Sequence, residues 1–386
     1  MLEEDKLKPG DCSNADSKVL GTVFTTLFGQ LMALILASFI FQIGIVFVVR
    51  FYFGLDYREF HYAAHEWMHN VDPYTRGVLF TPPSSLLVGL MFGWLPFESA
   101  RFMMFILNIA LLFLALRCLV IQFELSRINE RFLYGIALLF YPCYFLVERG
   151  NLDGIMFALI VMGFASSHHM VKSVCLGASL AVKVYSGLIF LVLFRKRKWK
   201  VASIGVLVFI LLQIPFAKLF PHFVSSVLGR TGLIRLDENI SPATLFSIVI
   251  GGLWQWKVVF IAFWFGTLAY RMVKDKSKDV SKTWTLYIPW MISFPVLVYP
   301  YSGVLALALI ARIASACQTR LMTRAESLIV AGFCLLGFQA VAWTYFLGII
   351  TPYAPVSHLI CALGNLFMII GACGLPDYED VSVRSA

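Results

Sequence analysis

Charge is scarce in this chain. Only 14% of its 386 residues are Asp, Glu, Lys or Arg, against about 25% in a soluble domain. That shortage excludes an ordinary soluble enzyme. Cys-x-x-Cys is missing as well. The eight cysteines are scattered and imply neither a disulfide framework nor a thiolate zinc site. Most lie in apolar runs, where Cys behaves as a small hydrophobe. A Gly-rich phosphate loop, a soluble domain and an internal repeat are all lacking. The last removes the paired halves common in transporters.

What is present is oil. Hydrophobic residues make up 60% of the chain and the mean hydropathy is +0.81. The expected fold is an all-α polytopic membrane protein, one bundle of roughly ten to twelve spans at about 20 residues each. The formal charge of +9 comes from short Lys/Arg clusters between spans, as the positive-inside bias predicts. It is no nucleic-acid footprint.

Residues 1–22 read as a polar cytoplasmic tail, so the first apolar run is not a cleaved signal peptide. Phe24–Val49 is long enough to span. Further spans are expected at Ser84–Leu95, Phe102–Ile121, Phe132–Val147, Leu152–Phe164, Val174–Phe194, Val201–Leu219, Leu245–Tyr270, Trp284–Val298, Val304–Ala316, Leu328–Ile350 and His358–Gly371, within one transmembrane domain over 23–374. Residues 375–386 form a polar tail. Arg195-Lys196-Arg197-Lys198-Trp199-Lys200 and the run Lys274 to Lys282 mark the cytoplasmic face. A second outer loop then falls at 221–244.

The polar segment 51–83 stands out as a first outer loop. It holds Asp56, Arg58, Glu59, His61, His65, Glu66, His69, Asp72 and Arg76 between two apolar runs. Its backbone cannot sit unpaired in hydrocarbon. Tyr57, Phe60, Ala63, Ala64 and Trp67 give a helical apolar stripe suited to lying on the membrane surface, and Asp72-Pro73-Tyr74 breaks it.

Two chemistries compete for this segment. Asp56 can act as a general base, taking a proton from an acceptor hydroxyl that attacks a sugar carbon, with Arg or Lys stabilising a departing phosphate. An Asp at a helix start is equally a common N-cap. Alternatively, His65-Glu66-Trp67-Met68-His69 fits H-E-x-x-H, two imidazoles on one helical face. Asn151-Leu152-Asp153-Gly154 resembles the distal Asp-Gly element of intramembrane zinc proteases, which would make it the source of a third ligand. The bland alternative is a row of interfacial histidines.

Outside that loop, Lys183 lies within an apolar run, where a Lys faces the bundle and an anion or snorkels to the headgroups. Glu148 to Gly154 forms a second polar knot, a site or a solvated turn. Asn239-Ile240-Ser241 is formally a glycosylation sequon, read here as a polar contact in the outer loop.

Gly54-Leu55-Asp56-Tyr57, Tyr62-Ala63-Ala64, Asp72-Pro73-Tyr74, Thr81-Pro82-Pro83, Arg149-Gly150-Asn151, Leu180 to Tyr185, the basic turn at Arg195, Asn239 to Ser241 and Tyr299-Pro300-Tyr301-Ser302 occur in that order. Together they resemble glycosyltransferase family 87 of the GT-C superfamily. The middle block is also similar to the eukaryotic enzyme that adds the first mannose of GPI anchors. The pattern departs from the family after Ser302, where members often carry a His; His358 is a distant substitute.

The resemblance implies a GT-C helical bundle with Asp56 as the catalytic base of an inverting transfer. It implies a polyprenyl-phosphate-linked sugar donor, typically mannose, and a glycolipid or glycan acceptor, without a metal or other cofactor. Donor or substrate contacts would come from Arg58, Tyr74, Arg76, Arg149, Asn151, Asp153, Lys183, Asn239, Tyr301 and Ser302. Arg230 and Arg235 are alternative phosphate partners. The expected home is a bacterial inner membrane, with the site on the outer face. Simple span counting, however, puts Arg149–Asp153 on the opposite face from Asp56. The rivals are the zinc protease and a lipid or sugar transporter.

Overall fold

A computed structural model describes residues 54–76, 81–230, 242–250, 255–293, 300–337 and 354–375. The tails at 1–22 and 376–386, the expected span Phe24–Val49, Arg235 and Asn239 lie outside the described residues. So do the side chains of Arg76, Arg230, Tyr301 and His358.

Every regular element among the described residues is helical. Three helices are long and apolar enough to cross a membrane: Phe97–Gln122, Trp199–Ser226 and Gln255–Lys274. Shorter apolar helices accompany them, among them Asp153–Ala165, His169–Val182, Val184–Arg195 and Ser302–Ala316. The chain is therefore a helical membrane protein. Its spans are less regular than the hydropathy pattern suggests.

The first described helix, α1 (Leu55–Met68), starts from Gly54 in the left-handed region at φ 77°. Its apolar stripe is as expected: Tyr57, Phe60, Ala63 and Ala64 are buried, and the Trp67 ring lies 4.9 Å from Phe216. The stripe packs on α2 (Leu86–Phe92). Gly89 makes that approach possible, because a Cβ there would fall 2.3 Å from the Phe60 carbonyl oxygen. The long helix α3 (Phe97–Gln122) follows.

Phe132–Val147 is two helices rather than one, α4 (Arg127–Leu139) and α5 (Tyr141–Arg149). Phe140 between them is extended. The cause is Pro142, which sits in the first turn of α5; in a continuous helix it would leave the Leu138 carbonyl without its N–H partner and its ring would clash with that carbonyl. Next comes a hairpin, α6 (Asp153–Ala165) and α7 (His169–Val182), whose helices pack along each other.

Val174–Phe194 is also interrupted. Lys183 is extended (φ −147°, ψ 124°), and a 3-10 turn, Val184–Gly187, leads into α8 (Leu188–Arg195). Irregular backbone at such a depth must be satisfied by protein. Here the Ser186 hydroxyl donates to the Lys183 carbonyl at 2.8 Å, and the Lys183 N–H reaches the Ser179 carbonyl at 3.0 Å. Trp284–Val298 is likewise no simple span. Its described part is a 3-10 turn, Trp284–Tyr287, and a short helix, Ile288–Ile292.

The two basic markers meet, as a shared face requires. The Lys196 ammonium lies 2.8 Å from the buried Asp275 carboxylate, and Arg195 Nε donates to the Met272 carbonyl at 3.2 Å.

Candidate active site

Two glycines bring the outer loop to the polar knot. Gly150 ends α5 in the left-handed region, at φ 63°. A Cβ on it would meet Tyr57 Cβ at 2.9 Å and Gly54 Cα at 3.5 Å. Only at glycine do the start of α1 and the end of α5 touch this closely, with the backbone bent this way. The contact sets Asp56 beside Arg149 and Asn151.

Asp56 is not used as a helix cap; α1 has no side-chain cap bond. Its carboxylate instead accepts a hydrogen bond from Asn151 Nδ2 at 2.7 Å. The Arg149 guanidinium lies 3.8 Å away, and both charged side chains keep about a quarter of their surface open, 26% and 27%. Arg149 also lies 4.9 Å above the Phe145 ring. Burial pushes the Asp56 carboxyl above its ordinary pKa. Arg149, Asn151 and Lys183 pull it down, while Asp153 adds to the rise.

Asn151 couples this pair to a second carboxylate. Its Oδ1 accepts from the Asp153 backbone N–H at 3.1 Å. Asp153 opens α6 and is wholly buried, at 0% exposure. Its Oδ2 accepts from the hydroxyls of Tyr185 and Ser302, each at 2.6 Å. Its Oδ1 lies 3.3 Å from the Lys183 ammonium. A buried carboxylate needs such pairing. The helix break at Lys183 is what allows both Lys183 and Tyr185 to reach it.

One network thus gathers Asp56, Arg149, Asn151, Asp153, Lys183 and Ser302, six of the residues expected from the sequence. The solvated-turn reading of Glu148 to Gly154 fails at Asn151 and Asp153, since both are buried. The opposite-face placement of Arg149–Asp153 is corrected too. Span counting takes Ser84–Leu95 as a full crossing, but its helix α2 has only 7 residues, about 10 Å at 1.5 Å per residue, too short to cross alone.

Other expected residues lie elsewhere. Arg58 is exposed and pairs with Glu59 at 3.3 Å. The Tyr74 hydroxyl donates to the Thr81 carbonyl at 2.7 Å, and its N–H to Asp72 Oδ1 at 2.9 Å. Asp72 also contacts His222. These bonds fasten the loop. Ser84 completes the fastening, with its hydroxyl donating to the Ala181 carbonyl at 2.7 Å beside the helix break.

The H-E-x-x-H histidines are both exposed. Their ring centroids lie 4.3 Å apart, and His69 Nδ1 is 2.8 Å from the His65 carbonyl oxygen. Asp153, the suggested third ligand, is committed to Lys183, Tyr185 and Ser302.

Two residues went unnamed as site residues in the sequence. Tyr185 was visible only as part of a landmark run. Asn108 of α3 is fully buried, and a Cβ at Gly154 would meet its Oδ1 at 2.3 Å. A lone Asn inside a 26-residue apolar helix was the signal that could have found it.

The sequence model of glycosyltransferase family 87 matches residues 80–336, more than half of the 386-residue chain. The chain belongs to that family and is a glycosyltransferase. The match includes Arg149, Asn151, Asp153, Lys183, Tyr185 and Ser302, and begins beyond Asp56. No curated protein matches the chain.

Proposed function

We propose that this membrane glycosyltransferase moves a monosaccharide, mannose in the first instance, from a polyprenyl-phosphate donor to a hydroxyl acceptor with inversion. Asp56 is the general base. The observation that carries this reading is the pairing of a half-buried Asp56 carboxylate with the Asn151 amide and the Arg149 guanidinium. A base works best when its pKa lies nearer the working pH, and burial moves Asp56 in that direction.

In this reading the acceptor oxygen attacks the anomeric carbon and gives its proton to Asp56. The bond from that carbon to the phosphate oxygen breaks as the new glycosidic bond forms, through an oxocarbenium-like transition state. A single displacement inverts the centre. Polyprenyl phosphate leaves with the electron pair, and its growing charge is met by Arg149, whose guanidinium keeps open surface. Lys183 is largely engaged by Asp153, so its share is to hold the network and add positive field. No nucleotide sugar or metal takes part. The lipid tail enters sideways between helices, and the site faces outward from a bacterial inner membrane.

The test is transfer of radiolabelled sugar from a panel of polyprenyl-phosphate donors by purified protein, with Asp56→Asn as the control. Equal transfer by that variant removes Asp56 from the mechanism. Turnover with none of the donors removes the donor class.

A further inference from the structure

We propose that the end of the α6–α7 hairpin remote from Asp153 carries a second binding site, for a phosphate group. Asp153 and Lys183 stand at one end of this hairpin; His169 and Lys172 stand at the other. The 13 residues of α6 set the two ends about 20 Å apart at 1.5 Å per residue. The glycosyl-transfer network therefore does not reach it.

A cavity of about 360 Å³ opens there, lined by His169, Lys172, Lys198, Lys278, Asp279 and Ser281 over Leu193, Val201 and Val280. Three ammonium groups and an imidazole thus surround one carboxylate. That carboxylate also caps a helix, with Asp279 Oδ1 accepting from the Ser281 N–H at 2.9 Å. Lys172 donates to Ser281 Oγ at 3.2 Å and has two further N–H donors. Lys198 and Lys278 are exposed, and neither has an ion-pair partner among the described residues. Three ammonium groups against a single carboxylate leave an excess of positive charge that favours an anion.

The cavity floor says what kind of anion. Leu193, Val201 and Val280 are buried apolar residues. Trp199, in the adjoining basic turn, is 57% exposed, as suits an indole at a membrane interface. A basic rim above an apolar floor, next to the bilayer, fits the phosphate of an anionic lipid with acyl-chain carbons against the floor. Free phosphate shares the charge but gains nothing from the floor.

The experiment uses the full chain in neutral detergent, with phosphatidylglycerol and inorganic phosphate titrated separately and bound ligand read by native mass spectrometry. Phosphatidylglycerol is expected to bind. Lys172→Gln/Lys198→Gln/Lys278→Gln should weaken it by about tenfold or more. Arg127→Gln/Arg197→Gln/Lys200→Gln, which removes equal charge from exposed positions outside the cavity, should weaken it far less. Saturable inorganic phosphate binding with the same dependence on the first triple variant would support the site and identify free phosphate as its ligand. Equal losses in both triple variants, or no binding of either probe, overturn the proposal. Asp56→Asn should bind as the unaltered chain does, so failure of the transferase reading would leave this result untouched.

Discussion

Asn151 and Asp56, 95 positions apart, meet through a 2.7 Å hydrogen bond in which the amide donates to the carboxylate. The same amide accepts from the Asp153 backbone. It therefore fixes the distance between a carboxylate that stays open and one that is closed. Replacing Asp56 by Asn should lower the transfer rate by about 10²–10⁴-fold, the range for a lost general base, without unfolding the protein. Initial rates and a melting curve on the same preparation check both halves.

The direction of the Asp56 shift gives a pH prediction. The base must be ionised, so activity should fall on the acid side with a midpoint above the ordinary Asp value of about 3.9. Arg149 is the strongest influence holding the pKa down. Arg149→Gln should therefore move that midpoint to higher pH, as well as slowing turnover. A midpoint that stays put or falls in Arg149→Gln would contradict the electrostatic influence assigned to Arg149.

Stability follows the same linkage. A carboxyl whose folded pKa is raised contributes stability that is present below its unfolded value and lost as pH rises through the folded one. Ionised Asp56 thus costs the fold stability at neutral pH. Asp56→Asn should melt no lower than the unaltered chain at pH 7, and that advantage should shrink as pH falls towards 4.

Lys183 and Asp153 form the buried pair, at 3.3 Å. Lys183→Met leaves an uncompensated buried charge, which costs about 3–5 kcal/mol. Adding Asp153→Asn should recover much of that loss. If the two losses simply add in a double-mutant cycle, the pair is not coupled.

Gly150→Ala tests the approach of the loop to the knot. The new Cβ meets Tyr57 in a left-handed backbone, a conformation costing an L-residue about 1–2 kcal/mol. Transfer should fall along with the melting temperature. His65→Ala/His69→Ala, by contrast, should leave transfer within about twofold, because exposed substitutions away from special features usually perturb little.

Much of this was legible in the sequence. Scarce charge and long apolar runs gave the helical membrane class. Lys183 stood out because a charge inside an apolar run must find a partner, whereas Asp56, Asn151 and Asp153 were marked by the family resemblance. The assembly was harder to read. Span counting treats Phe132–Val147 as a single crossing, yet Pro142 splits it. Lys183 reads as a charge inside a helix, yet the helix stops there, and that stop delivers Tyr185. Arg58 and Tyr74 looked like ligand residues by position alone. One pairs with its neighbour, and the other fastens a loop.

Asp153 also bears on how the chain is made. Its hydroxyl partner Ser302 lies 149 positions downstream. During synthesis the carboxyl arrives in the bilayer well before that serine exists, so it must stay hydrated or protonated until the later helices arrive. A cysteine at position 153 should react with a water-soluble maleimide in nascent chains halted before Ser302 and be shielded in finished ones. Equal labelling of both would show that the pocket closes without its last wall.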